Sequence, residues 1–358
     1  MDKKLLAFDL GAESGRGLLG RFDGQRLRLE VVHRFPNGPV RTLDTLHWDV
    51  LRLHGEMLAG LRRCAAEHGG IDCVGVDTWG VDFALLVRGG TLLGNPRHYR
   101  DPHTAGVLEA AFARVPRQEI FRRTGLQFMR FNTLFQLLAL LRDRSPLLDV
   151  AEHLLFMPDL FHYFFTGVKA NEFTDASTSQ MLDPTTGTWA YDLVKGFGLP
   201  ERILGTLVPP GTVLGPLRAS VVAETGLNAA PVIAPASHDT ASAIAASLTS
   251  GFASSTPISD HVPELMYAHV PEPAGTAATA DPVSCDAGAI TGAGLRPVSV
   301  ATDGRSGPST VPGCASVPRI FSGSPNDRTR PYAQPRVVGS SIWLVLASVN
   351  SLTLMPVK

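Results

Sequence analysis

The chain has 358 residues, of which 44% are hydrophobic and 18% charged, and its formal net charge is -1. That length accommodates two ordinary domains or one large domain with an appendage. The near-neutral balance argues against a nucleic-acid footprint or a polybasic membrane patch and leaves a small molecule as the expected partner. A monomer is the expected state.

From the N-terminus, MDKKLLAFDLGAESGR offers an apolar stretch too short for a signal peptide, and residues 4–9 read as a buried strand. Residues 15–22 and 27–34 read as further strands around the FDGQ turn, and 49–67 as an amphipathic helix beginning after Trp48. Strands follow at 73–77 and 82–87, then the turn-like RGG, then helical patterns at 104–114, 117–124, 132–142 and 158–166. Strands lead and helices follow, which predicts an α/β or mixed-sheet domain rather than a bundle or sandwich. Cys64, Cys73, Cys285 and Cys314 lie far apart with no CxxC pair, which argues against a zinc cluster or disulfide framework and fits a reducing, cytoplasmic compartment.

The composition breaks near residue 248. Residues 1–246 carry the periodic segments, whereas 247–358 form a low-complexity tail. Pro257, Pro263, Pro271, Pro273 and Pro282 interrupt any long element there, and 249–336 is expected to be disordered. The last stretch, VVGSSIWLVLASVNSLTLMPV, is apolar again, but its serines, Asn350 and lack of flanking charge favour a sticky strand over a membrane span.

Three motifs carry chemistry. In Asp9-Leu10-Gly11-Ala12-Glu13-Ser14-Gly15-Arg16, between two strands, small residues let successive N–H groups point into a turn, while Ser14 adds a donor and Arg16 a positive charge. That suits a phosphate, with Asp9 at the strand end placed to hold a hydrated Mg²⁺; the competing reading is an ordinary hairpin. In Val76-Asp77-Thr78-Trp79-Gly80-Val81-Asp82-Phe83, two acids, a Trp and a Gly interrupt a buried strand. Buried acids are costly unless used, so Gly80 and Asp82 are candidates to meet a sugar, against a β-bulge with both acids solvated. In PASHDTASA, an apolar strand meets a small-residue helix start. Asp239 there could accept a proton from an attacking hydroxyl, or could simply cap a helix.

The set resembles the large family of sugar kinases that act on glycerol, xylulose and related polyols, and within it the rhamnulokinases. The residues that carry the resemblance are DLGAESGR, HRFPNG at 33–38, LHWDV at 46–50, GVDTWGVDFALL at 75–86, YRDPHT at 99–104, GLQFMRFNTLFQL at 125–137, MPDLFHYFFTG at 157–167, EFTDASTSQML at 172–182 and PASHDTASA, spread over residues 4–246. The resemblance implies an actin-like, ribonuclease-H-like α/β fold of two domains closing over a cleft. It implies that Ala12, Glu13, Ser14, Gly15 and Arg16 form the phosphate loop, that Gly80 touches the ketose, that His238 and Thr240 line the sugar beside Asp239, and that Asp239 is the catalytic base. The implied reaction passes the γ-phosphoryl group of ATP to the 1-hydroxyl of L-rhamnulose with Mg²⁺.

Beyond SHDTASA the family continues into a second domain that supplies the adenosine pocket, and nothing of that pattern is visible here. Residues 247–358 resemble translation of a GC-rich coding sequence in another frame, so the expectation is a frameshifted or truncated product with impaired turnover. An intact reading frame in the source DNA would overturn it. A catalytically inert ketose-binding module is the alternative from a different class. An actin-like ATPase of non-metabolic role is a third, disfavoured because it needs no sugar-facing acids at WGVD and SHDT.

Overall fold

The structure, a computed structural model, describes residues 2–24, 26–243 and 245. Strand β1 (Lys3–Leu10) is apolar on both faces, as a strand in the middle of a covered sheet must be. It pairs antiparallel with β2 (Ser14–Phe22), which pairs antiparallel with β3 (Leu27–Pro36), an edge strand whose Leu29 and Val31 are exposed. A small hairpin of β4 (Pro39–Thr42) and β5 (Thr45–Trp48) delivers the chain to α1 (Val50–His68). The Asp49 side chain caps α1 by accepting from the Arg52 amide, and Val50, Leu53, Met57, Leu61 and Cys64 form its buried stripe at helical spacing.

Strand β6 (Cys73–Thr78) returns parallel to β1, with Asp9 opposite Asp77 and Leu10 opposite Thr78. After it come β7 (Phe83–Leu86), α2 (Val107–Arg114), α3 (Arg117–Thr124), α4 (Thr133–Arg142), α5 (Leu147–Val150), β8 (His153–Phe156) and α6 (Met157–Thr166). Then follow β9 (Asn171–Glu172), α7 (Phe173–Ala176), β10 (Leu182–Asp183), β11 (Thr188–Trp189), α8 (Tyr191–Gly196), β12 (Leu207–Val208), β13 (Thr212–Pro216), α9 (Ala219–Thr225) and β14 (Pro231–Ala234). The main sheet has the order β13-β14-β6-β1-β2-β3, with β14, β6 and β1 parallel. A helix opens at residue 239, after the short turn 235–238 that follows β14.

One core lies between this sheet and the helices, with Phe8, Trp48, Leu53, Met57, Phe161 and Phe165 among its members. A second surrounds β7, β8 and α4 and includes Phe83, Phe135, Phe156, Trp189 and Phe197. The period of two on β7 joins them: Phe83 and Leu85 belong to the second core, Ala84 and Leu86 to the first. On the opposite face of the main sheet, Leu5, Ala7, Leu18, Cys73 and Ile233 form a smaller cluster, and strand alternation puts Asp9 and Asp77 on that face.

The strand expected over 82–87 spans Phe83–Leu86, because Asp82 belongs to the turn before it. The helix expected from 104 starts at Val107; residues 102–104 form a separate 3-10 turn that the Asp101 side chain caps at the His103 amide. The β4–β5 hairpin has no counterpart in the sequence reading, since all four residues of β4 are exposed and show no apolar alternation. Cys64 and Cys73 are buried free thiols, pushed up by burial to about 11 and about 12. Among the described residues no helix is long and apolar enough to cross a membrane. Cys285, Cys314, the expected disorder of 249–336 and the apolar stretch at 337–357 lie outside the described residues.

Candidate functional site

Three parallel strands, β1, β6 and β14, end on one edge of the main sheet, and each runs into one of the three motifs. Such carboxyl edges are where open α/β sheets hold ligands, because the connecting loops leave a crevice there.

After β1, residues 11–13 form the turn into β2. The Gly11 amide donates to the Ser14 carbonyl at 2.9 Å, and Asn37, just past β3, braces the turn by donating its side-chain amide to the Gly11 carbonyl and its backbone amide to the Glu13 carbonyl. Ala12 packs against the core, while Glu13 and Ser14 are exposed. Gly15 lies opposite Phe35 on β3, and a Cβ at Gly15 would fall 2.3 Å from that ring, so a glycine is required by the aromatic edge. Asp9 and Arg16 face each other across the β1–β2 pair, and the Arg16 Nε and Nη2 donate to Asp9 Oδ2 at 2.9 and 2.6 Å. The expected Mg²⁺ ligand and the expected phosphate cation are therefore each other's partners here. Among the described residues no group of three or more His, Cys, Asp or Glu side chains forms a metal cage. A hydrated Mg²⁺ carried by phosphates needs only one or two carboxylate oxygens, a hard-donor set that Asp9 fits.

After β6, the chain folds tightly. The Asp82 amide donates to the Gly80 carbonyl at 2.9 Å, closing a three-residue turn around Val81, whose φ of 69° is strained for a β-branched residue. The strain is held in place from outside: the Val81 amide donates to Thr178 Oγ1 at 3.0 Å, and the Val81 carbonyl accepts from Thr133 Oγ1 at 2.7 Å and from Gln136 Nε2 at 3.3 Å. A Cβ on Gly80 would meet the Thr178 side chain and His238 Cδ2, each at 2.9 Å, so the Gly80 turn and the SHD turn touch only because position 80 has no side chain.

Asp82, a candidate to accept sugar hydroxyls, meets a different geometry. Its carboxyl is fully buried and accepts from Trp48 Nε1 at 2.5 Å, Trp79 Nε1 at 3.1 Å, the Tyr99 amide at 3.1 Å and Gln136 Nε2 at 2.9 Å. Burial pushes it up to about 7 against the pull of those four donors. The two indoles stack with centroids 3.9 Å apart, and His98 stacks on Trp48 at 4.0 Å, so the Trp79 face is also spent internally. Asp77 is likewise buried, which removes the alternative of solvated acids at an edge.

After β14, the Thr78 amide donates to the Ser237 carbonyl at 3.0 Å and His238 bridges to Thr78, aligning the SHD turn with the end of β6. The His238 carbonyl accepts from the Ser242 amide at 3.0 Å, so His238 caps the helix and Asp239 is its first residue. The Asp239 side chain is about half exposed. Its Oδ1 accepts from the Thr240 amide at 2.6 Å and from Thr240 Oγ1 at 3.2 Å, and stands 3.3 Å from His238 Nε2. Burial lowers the His238 pKa, partly offset by Asp239, which keeps the ring neutral at neutral pH.

Beneath these turns lie Asp159, Glu172 and Asp175, all fully buried carboxyls. Asp159 accepts from the Glu172 amide and from Asn171 Nδ2. Burial raises all three, Glu172 to about 7, and for Asp175 the neighbouring Asp159 and Glu172 add to the rise. The sequence motifs thus bring Gly80, His238, Asp239 and Thr240 together at the strand ends. They leave Asp82 inside the protein and missed Asn37, Thr133, Gln136, Glu172, Thr174 and Thr178. EFTDASTSQ holds three of these; its polar residues in mid-chain were the signal available.

The sheet order, with an antiparallel β1–β2–β3 unit beside parallel β1, β6 and β14, and three loops gathered on one edge, is that of an actin-like, ribonuclease-H-like domain. Residues 5–246 match the N-terminal domain of the FGGY family of carbohydrate kinases, and the chain belongs to that family. It is 45% identical over 246 residues to the rhamnulokinase of Bacteroides thetaiotaomicron, covering 69% of this chain and 51% of that protein. It is 43% identical over 244 residues to the rhamnulokinase of Pectobacterium atrosepticum, covering 68% and 48%. Among solved structures, gluconate kinase from Lactobacillus acidophilus superposes with a TM-score of 0.62 at 18% identity over 69% of this chain and 50% of that one. Plasmodium falciparum glycerol kinase with ADP gives 0.58 at 16%, over 69% and 50%. The chain spans about half the length of the curated relatives it matches.

Proposed function

We propose that residues 1–246 are the sugar-binding and phosphate-holding domain of a cytoplasmic kinase that passes the γ-phosphoryl group of ATP to the 1-hydroxyl of L-rhamnulose. The observation that carries this reading is the meeting of the Gly80 turn with His238, the neighbour of Asp239, at the strand ends, in a chain 45% identical to a rhamnulokinase over this region. Asp239 takes the proton from the sugar hydroxyl as its oxygen attacks the γ-phosphorus, and the bond to the bridging oxygen breaks to leave ADP. A half-exposed carboxylate with one oxygen bound to Thr240 keeps the other for that proton. The neutral His238 ring, Thr240 and the Gly80 backbone supply hydrogen bonds to the remaining hydroxyls. The 11–16 turn holds the phosphates, with Arg16 turning from Asp9 towards them, and Asp9 is the residue that would hold Mg²⁺. The metal's chemistry is to offset charge on the transferring group. Asp82 and the two tryptophans anchor the Gly80 turn from behind.

A second reading follows from the Asp9–Arg16 pair. Phosphoryl transfer depends on positioning and charge stabilisation, and Arg16 is bound to Asp9 rather than free for a phosphate, so the chain can instead be an inert ketose-binding module. A coupled assay of ADP release with ATP, Mg²⁺ and L-rhamnulose separates the two, with Asp239→Asn as the control. Turnover above the control establishes the kinase. No turnover, with L-rhamnulose raising the melting temperature, establishes the binding module.

A further inference from the structure

The segment from Glu172 to Thr178 runs behind both turns and is bonded to each. At one end, the buried Glu172 Oε2 accepts from the Ser237 amide at 3.0 Å and from Thr174 Oγ1 at 2.5 Å, and Thr174 Oγ1 accepts from the His238 amide at 3.3 Å. At the other end, Thr178 Oγ1 accepts from the Val81 amide at 3.0 Å and donates to the Asp175 carbonyl at 2.8 Å. Between the two lies the single turn of α7, whose first amides, those of Thr174 and Asp175, are capped by the same Glu172 carboxyl. The distance between the two attachment points is therefore set by one helical turn rather than by a loop.

We propose that Glu172 and Thr178 are positioning residues that fix the Ser237–Asp239 turn relative to the Gly80 turn, a proposal that rests on reading the space between them as the sugar site. Neither residue needs to touch the ligand. A polyhydroxylated sugar presents hydroxyls at fixed separations, so a displacement of one turn against the other weakens several hydrogen bonds together. The chemistry of both side chains fits the task. A carboxylate has two acceptor oxygens for the Ser237 amide, the Thr174 hydroxyl and two helix amides, whereas a glutamine would aim an NH₂ at some of these donors. The threonine hydroxyl both donates and accepts, which a valine of the same shape cannot do.

The test uses the full chain with Thr178→Val, Thr178→Ser and Glu172→Gln, read by amide hydrogen exchange at residues 80–82 and 236–239 and by calorimetric titration with L-rhamnulose. Thr178→Val is expected to speed exchange at Val81 and to weaken L-rhamnulose binding about tenfold, with Thr178→Ser restoring both, as loss of one buried hydrogen bond predicts. Glu172→Gln is expected to speed exchange at Ser237 and His238. Unchanged exchange at Val81 in Thr178→Val together with unchanged exchange at Ser237 in Glu172→Gln overturns the proposal, whether or not sugar binds. Wild-type affinity in Thr178→Val despite faster exchange overturns it as well. A wild-type chain that binds no L-rhamnulose, with the local exchange changes present, supports the two attachments and removes the sugar reading instead.

Discussion

The turns after β1 and β6 leave adjacent parallel strands on the same sheet edge, yet they are held in opposite ways. The Gly80–Asp82 turn is buried, strained at Val81 and fastened by Thr133, Gln136, Thr178 and the donors to Asp82. The 11–16 turn exposes Glu13 and Ser14, rests on Asn37, and keeps its two charges paired with each other at a part-exposed position. The difference suits the two proposed ligands. A sugar is told from its isomers by where its hydroxyls lie, which calls for a surface that does not yield. A polyphosphate is held by charge and free N–H groups, which a partly open turn with an exchangeable ion pair can provide.

The largest expected effect breaks the locked turn. Asp82→Ala leaves four N–H donors without their acceptor and is expected to cost about 3 kcal/mol or more in urea denaturation. A loss no greater than that of a surface substitution would mean the turn is not anchored there. Gly80→Ala comes next, since its Cβ would lie 2.9 Å from Thr178 and His238. It is expected to cost about 1 to 3 kcal/mol through forced displacement and to abolish any shift in melting temperature caused by L-rhamnulose. The pH dependence sharpens the contrast. Burial raises Asp82 from 3.8 to about 7, so its stabilising contribution is fully present below 3.8 and is lost as pH rises through about 7. Asp82→Asn should therefore flatten the fall in stability over that window, measured by melting temperature against pH, and an unaltered slope would show that Asp82 does not titrate there. The smallest effect belongs to the open turn. Arg16→Ala removes a part-exposed ion pair and is expected to cost at most about 1 kcal/mol in stability, since solvent screens such pairs. A larger loss would mean the 11–16 turn is locked after all.

Periodicity and punctuation made much of the fold legible. Residues 4–9 and 73–77 read as buried strands because a strand covered on both faces carries a near-continuous apolar run, and α1 and α4 read as helices from their apolar spacing. The three motifs were legible because glycines, acids and a histidine interrupt apolar strands, and the family because those motifs recur in order. Where the charges end up was not. Whether Asp82 faces a ligand or four internal donors depends on Trp48 and Gln136, which lie 34 and 54 residues away in the chain. Whether Arg16 is free depends on the strand register that sets it opposite Asp9. Thr178 and Glu172 gain meaning only when packing brings them against Val81 and Ser237, 97 and 65 residues distant. Local sequence determines which segments can be strands and which turns can carry polar groups, because burial periodicity and backbone preference act over a few residues. The partners of buried polar groups are decided by tertiary structure, because a desolvated carboxyl or amide must be satisfied by whichever donors and acceptors the fold brings to it.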